Sequence, residues 1–321
     1  MILAVPAILT VVLLYAAPSL NWERLWTFTN FSGFPHAVAD APEAEEAVWP
    51  ITPSIGWLFA LGFLLPGYTL TGFDASAHVA EETSGAARNV PRGIVRSVLI
   101  SAIFGWLMLS AIVLAMPDPM VVAEKGEQAF VFTISQIVPP WLALMLEGAI
   151  VIAQYLCGLA TVTSASRMAY AFARDGGLPF STIFRTVSPR FHTPVSAIWL
   201  VSTFAILFTV YAAAYATIAA SAAVLLYISY VLPTAIGLVA YQRWWTELGP
   251  WHLGMWFRPL AVVSTLGCLG LIVIGMQPPN EKVIGVVFGM LIVLLVVWFA
   301  YARRHFPGPP PWHDRSESHH D

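Results

Sequence analysis

The stretch Thr71–Ile94 reads TGFDASAHVAEETSGAARNVPRGI and places Asp74, His78, Glu81 and Glu82 directly behind a long apolar run. His78, Glu81 and Glu82 stand at i, i+3 and i+4, which puts them on one helix face. One chemistry for such a face is a metal centre. A zinc or iron site needs at least one more ligand, and the other histidines of the chain fall in loops or the tail. The spacing therefore argues against an intramembrane metalloenzyme and for no metal. The second use is a brace: Glu81 and Glu82 facing Arg88, Arg92 or Arg96, with Arg92 a structural partner. The plainest use is a solvated helix end in the headgroup zone, where charges cost little.

Just upstream, SIGWLFALGFLLPGYTLTGFD holds Pro66, Gly67 and Gly72 deep in the apolar run, with Tyr68, Thr69 and Thr71 among them. Proline removes a helix donor and clashes with the preceding turn. Glycine eases unwinding. Backbone freed at membrane depth is tolerated only against protein or a water-filled cavity, and broken helices build substrate sites near the midplane of transporters. The run around Pro66, Gly67 and Gly72 is thus a candidate break.

Other segments offer weaker signals. Thr161, Thr163, Ser164 and Ser166 bring hydroxyls to one end of an apolar helix; they either bond back to their own helix or help ligate a sodium ion beside carbonyls of a second helix. Tyr227 and Tyr230 are three apart and line a path or pack as aromatics. Glu147 is a further carboxylate in an apolar run. Asp175-Gly176-Gly177 is a helix stop. Cys157 and Cys268 sit in apolar runs and read as buried thiols.

These residues need a frame, and composition supplies it. The 321 residues are 58% hydrophobic and 10% charged, against about 25% charged in soluble domains. The chain reads as an all-α polytopic membrane protein. A net charge of -3 implies no nucleic-acid partner. A spanning helix takes about 20 apolar residues, and eight segments qualify: Met1–Leu20, Ser54–Phe73, Gly93–Met116, Trp141–Arg167, Pro194–Tyr211, Tyr215–Tyr241, Pro259–Met276 and Val283–Tyr301. The first has a rival as a secretory signal peptide, weakened because no positive residue precedes it.

Alternating the connections puts twelve of the fifteen Lys and Arg on one side, leaving only Arg24, Lys125 and Lys282 on the other. Positive residues stay inside, so both termini are expected in the cytoplasm of a multi-pass plasma-membrane protein. The loop Asn21–Pro53, with Asp40, Glu43, Glu45 and Glu46, faces out. Residues 1–302 form the membrane domain, and 303–321 a Pro-rich, disordered cytoplasmic tail.

GFDASAHVAEETSGAARNVPRGI resembles the sixth helix and following loop of permeases of the amino acid–polyamine–organocation superfamily. SRMAYAFARDGGLP is similar to the end of their eighth helix. LLYISYVLPT is similar to their tenth, particularly in the choline and GABA permease branch. The resemblance covers essentially the whole chain. It implies a 5+5 inverted-repeat (LeuT-like) transporter fold, with the eight spans here corresponding to helices 5–12. Residues 54–241 would be the second five-helix repeat and 259–301 two extra helices. Helices one to four would be absent, so the chain resembles an N-terminally truncated permease or one that needs a second chain.

The implied function is secondary active transport, by alternating access, of an amino acid or related amine such as GABA, choline or a polyamine. The alternative is a non-transporting remnant or membrane scaffold. By position, Tyr68, Thr71, Gly72, Phe73, Asp74 and Tyr227 become substrate-binding candidates. Asp74, His78, Thr163 and Ser164 become coupling candidates for H+ or Na+, with no other cofactor. Pro66, Gly67, Glu81, Glu82 and Arg92 are structural. A helix cap remains the competing role for Asp74.

Overall fold

The computed structural model describes residues 3–33, 51–211, 215–278 and 280–308. The acidic part of the first loop and the tail from residue 309 lie outside the described residues. Among the described residues the chain is helical and forms no strand.

The helices follow the apolar runs. α1 spans Ala4–Ala16 and ends where Ala17 turns extended before Pro18, as a residue preceding proline does. The run after the first loop is divided into α2 (Ile55–Gly62), α3 (Leu64–Thr69) and the single turn α4 (Ala75–His78). The first interruption has a local cause. Pro66 lacks the N–H that would bond the carbonyl of Gly62, four residues back, and α2 stops at Gly62.

α5 runs over Ala86–Ala115. It therefore starts well before the expected Gly93, because Pro91 is accommodated within its early turns. α6 (Pro119–Ala123) and α7 (Ala129–Ile137) are short. α8 is the longest, Pro140–Arg174. Its end is a Schellman motif: Gly176 N–H donates to Ala173 and Gly177 N–H to Phe172, with Gly176 at φ +80°. The Gly-Gly helix stop is realised there.

α9 (Ser181–Phe184), α10 (Val195–Tyr211), α11 (Tyr215–Ala240), α12 (Phe257–Gly275) and α13 (Lys282–Val297) complete the bundle. A π turn, Trp298–Ala302, leads into α14, Arg303–His305. Helix thus extends three residues into the expected tail.

Five stretches are long and apolar enough to cross a membrane: Ala86–Ala115, Pro140–Arg174, Thr217–Ala240, Gly254–Gly275 and Lys282–His305. The other three expected spans are the shorter apolar helices Ala4–Ala16, Ile55–Thr69 and Val195–Val210.

Two apolar clusters organise the bundle. Leu9 and Leu13 of α1 pack with Ala111, Ile112 and Ala115 of α5, Ile134 of α7 and Leu146 of α8. Val224 of α11 packs with Val283 and Val287 of α13. Arg24, beyond α1, donates to the carbonyls of Met116 and Pro117 past the end of α5, satisfying acceptors a helix terminus leaves open. α3 touches α5, α11 and α12, so the interrupted helix bridges the two clusters. Cys157 is exposed on α8 rather than buried.

Candidate functional site at a broken helix

Between α3 and α4 the chain leaves helical geometry over Leu70–Asp74. Gly72 sits at φ +79°, a left-handed conformation that glycine adopts without strain. Thr71 N–H donates to Tyr68 at 3.1 Å, one residue short of the α-helical partner Gly67. Among the described residues no well-formed hydrogen bond engages the amides of Phe73 and Asp74 or the carbonyls of Leu70, Thr71 and Phe73, although the segment keeps the curvature of a turn. Open backbone groups of both signs thus stand within one turn of chain.

α11 supplies two hydroxyls to the same place. Tyr227 donates to the Gly67 carbonyl at 2.9 Å. The Tyr230 hydroxyl accepts from Gly72 N–H at 3.0 Å and donates to Asp74 Oδ1 at 2.9 Å. The Phe73 ring lies on Tyr230, centroids 4.5 Å apart, and Tyr227 meets Tyr230 edge-on at 5.9 Å. The other carboxylate oxygen, Asp74 Oδ2, is 3.2 Å from His78 Nε2, one turn further on. The two side chains are 29% and 25% exposed, which leaves both open to solvent protons.

Asp74 occupies the N-cap position of α4, yet its side chain makes no capping bond. The cap role is therefore not the one it plays. Its oxygens are used by Tyr230 and His78.

The remaining candidates divide. Pro66, Gly67 and Tyr68 lie in α3. The Thr71 hydroxyl bonds back to the Tyr68 carbonyl at 2.7 Å, so Thr71 offers its carbonyl rather than its side chain. The Tyr227 hydroxyl is likewise engaged, by Gly67. Thr163 bonds back to Leu159 at 2.8 Å. α8 packs against α4, but no bond joins Thr163 or Ser164 to the break. A shallow cleft of about 100 Å³ opens between the break and α5, lined by Thr69–Phe73 with Ser97, Val98 and Ser101. Ser97 and Ser101 are new to the site. Their i, i+4 spacing in the apolar run of α5 is the signal that marks them.

The cytoplasmic brace has different partners from those expected. Glu82 forms a bidentate pair with Arg167 at 2.7 and 3.0 Å. Glu81 pairs with Arg174 at 3.0 Å, and Arg174 also meets Asp175 at 3.2 Å. Arg88, Arg92 and Arg96 form none of these pairs. The reason is the left-handed Gly85 turn, which redirects the chain before α5, while α8 ends beside the two glutamates. The hydrogen bond from Arg167 holds the Glu82 carboxyl below its ordinary value. Among the described residues no three His, Cys, Asp or Glu side chains come together as a metal site would need.

Comparison with known proteins bears on this geometry. A family described as "Amino acid permease" matches residues 1–300. "Amino-acid permease BAT1" of Arabidopsis thaliana is 31% identical over 93% of this chain and 60% of its own length. "Amino-acid permease BAT1 homolog" of Oryza sativa subsp. japonica is 30% identical over 93% of this chain and 59% of its own. "Amino-acid permease 2" of Neurospora crassa is 29% identical, covering 84% of this chain and 53% of its own. The chain thus spans between half and two thirds of the length of these relatives.

Proposed function

The chain belongs to the amino acid permease family, and from that premise we propose that it serves as a secondary active transporter of an amino acid or related amine, driven by protons. It is a multi-pass membrane protein. In this reading it works by alternating access in the plasma membrane, with both termini cytoplasmic, and it is not an enzyme.

The observation that carries the reading is the break itself. The open carbonyls of Leu70, Thr71 and Phe73 suit an ammonium. The open amides of Phe73 and Asp74 suit a carboxylate. Such backbone groups hold substrate and ions at other unwound membrane helices. The Phe73 and Tyr230 rings add a face to which a cation is attracted. Asp74 with His78 offers an exchangeable proton beside the substrate, and an imidazole changes charge in the physiological range.

The test is uptake into proteoliposomes of labelled GABA, choline, polyamines and common amino acids, under a proton or a sodium gradient imposed separately. One or more substrates should accumulate with the proton gradient, and Asp74→Asn should abolish accumulation while leaving the protein in the membrane. Accumulation driven by sodium alone would refute proton coupling. No uptake of any of these substrates would refute the transporter reading.

A further inference from the structure

We propose that Tyr230 is the positioning residue through which the charge of the Asp74–His78 pair controls the helix break. This rests on the reading of that break as the substrate site.

The geometry is a continuous chain of three hydrogen bonds. Gly72 N–H donates to the Tyr230 oxygen, the Tyr230 hydroxyl donates to Asp74 Oδ1, and Asp74 Oδ2 meets His78 Nε2. In an uninterrupted helix the Gly72 amide would bond the carbonyl of Tyr68. Here Tyr230 takes it instead, so the hydroxyl of another helix stands in for the lost helical bond.

The strength of that substitute depends on charge. A hydroxyl donating to an ionised carboxylate makes a bond roughly twice as strong as a neutral one. The donation also polarises the hydroxyl oxygen and makes it a better acceptor for the next bond in the chain. Adding a proton to Asp74 removes the anion. Adding one to His78 gives Asp74 a cationic partner that competes with Tyr230. Both weaken the hold of Tyr230 on Gly72, so acidification loosens the break.

Other charges leave the pair to itself. α4 packs against α5, α8 and the Ala80–Glu82 turn. Arg88, Arg92 and Arg96 on α5, and Tyr170 on α8, form no pair with Asp74 or His78 among the described residues. Arg167 and Arg174 are engaged by Glu82 and Glu81. Tyr227, the other hydroxyl on the face of α11, holds Gly67 and makes no bond to Asp74. It is therefore an internal control: it braces the same break without being wired to the pair.

The experiment is hydrogen–deuterium exchange of the Leu70–Ala75 amides in nanodisc-reconstituted protein, corrected for intrinsic rates, from about pH 8 to about pH 3, a range that spans both imidazole and carboxylate titration. In the wild-type protein, opening at Gly72 should rise roughly fivefold on acidification, the difference between a charged and a neutral hydrogen bond. Tyr230→Phe keeps the ring and its stacking, and should be open at every pH with a flat profile. Asp74→Asn should be flat as well. Tyr227→Phe should open the break yet keep the wild-type pH slope. A wild-type slope in Tyr230→Phe, or no slope in the wild-type protein, overturns the proposal. The readout needs no transport: absence of uptake alongside the expected exchange pattern would remove the transporter reading and leave this one standing.

Discussion

Replacing Gly72 with alanine separates the backbone from the side chain. The site is open: a Cβ built on Gly72 meets nothing within 4 Å. Alanine therefore meets no steric obstacle, and its whole cost is conformational. At φ +79° an L-residue pays about 1–2 kcal/mol for the left-handed geometry. That energy acts against the broken conformation alone, because glycine and alanine are both at ease in a continuous helix, where alanine is favoured by a further ~1 kcal/mol. Together these terms make a shift of about 2–3 kcal/mol, which changes a population ratio by roughly 30–150-fold. When the competent state becomes minor, apparent affinity falls by the fraction lost.

The assay is equilibrium binding of whichever labelled substrate the uptake panel identifies, to purified protein in nanodiscs. The apparent Kd of Gly72→Ala should rise, by up to about 30–150-fold. Gly72→Leu should lose binding altogether, since its side chain also fills the cleft beside Ser97 and Ser101. Wild-type affinity in Gly72→Ala would refute the reasoning, because it would mean that the left-handed residue is not required in the binding state.

Three further outcomes follow from the packing. Glu82→Gln should lower the thermal unfolding midpoint slightly: an exposed pair contributes at most about 1 kcal/mol, and the Glu82 side chain is 61% exposed. Because its carboxyl is held below the ordinary 4.5, that contribution is complete above the ordinary value and is lost as pH falls through the lowered one. The difference between variant and wild type should therefore shrink in acid. Gly176→Ala should be the more damaging glycine change at the end of α8. Gly176 is left-handed at φ +80° and a Cβ there would come within 3.1 Å of the His305 backbone carbonyl, a cost of about 1–2 kcal/mol from the conformation alone, read as a lower unfolding midpoint; the ring tip of Phe172, which a Cβ on Gly177 would meet, can swing aside. Arg24→Ala should destabilise by about 1 kcal/mol through the lost hydrogen bonds to the solvent-reachable carbonyls of Met116 and Pro117, and Arg24→Lys should recover only part, since one ammonium does not match the two-pronged guanidinium.

Much of the frame was legible in the residues because a bilayer demands it. Seven of the eight apolar runs carry one continuous main helix, and the eighth, Ser54–Phe73, is divided into α2 and α3. A break near Pro66 and Gly72 was readable because both carry backbone chemistry of their own, and the family resemblance set it at Thr71–Phe73. The misses lie where distant parts of the chain meet. Arg92 is near Glu82 in sequence, but Arg167 lies 85 residues away and is the actual partner. Nothing local shows that the Gly85 turn carries the nearby arginines off. The Tyr227–Tyr230 spacing was visible, but not which backbone group each hydroxyl would meet, since that depends on the register of α11 against α3. Whether Asp74 caps its helix was open for the same reason: its carboxylate is engaged by Tyr230, 156 residues later, and makes no cap.

The two ion pairs below the break have a mechanical meaning. Arg167 and Arg174 stand seven residues apart on one helix, about 10 Å along its axis, and they grip the adjacent residues Glu82 and Glu81. A single pair would be a pivot, about which the lower segment could swing. Two attachments separated along a rigid rod form a clamp that resists torque. The segment below Gly72 can then swivel against α8 only by releasing both at once; otherwise it moves with α8 as one body, and rotation concentrates in the unwound residues Leu70–Asp74.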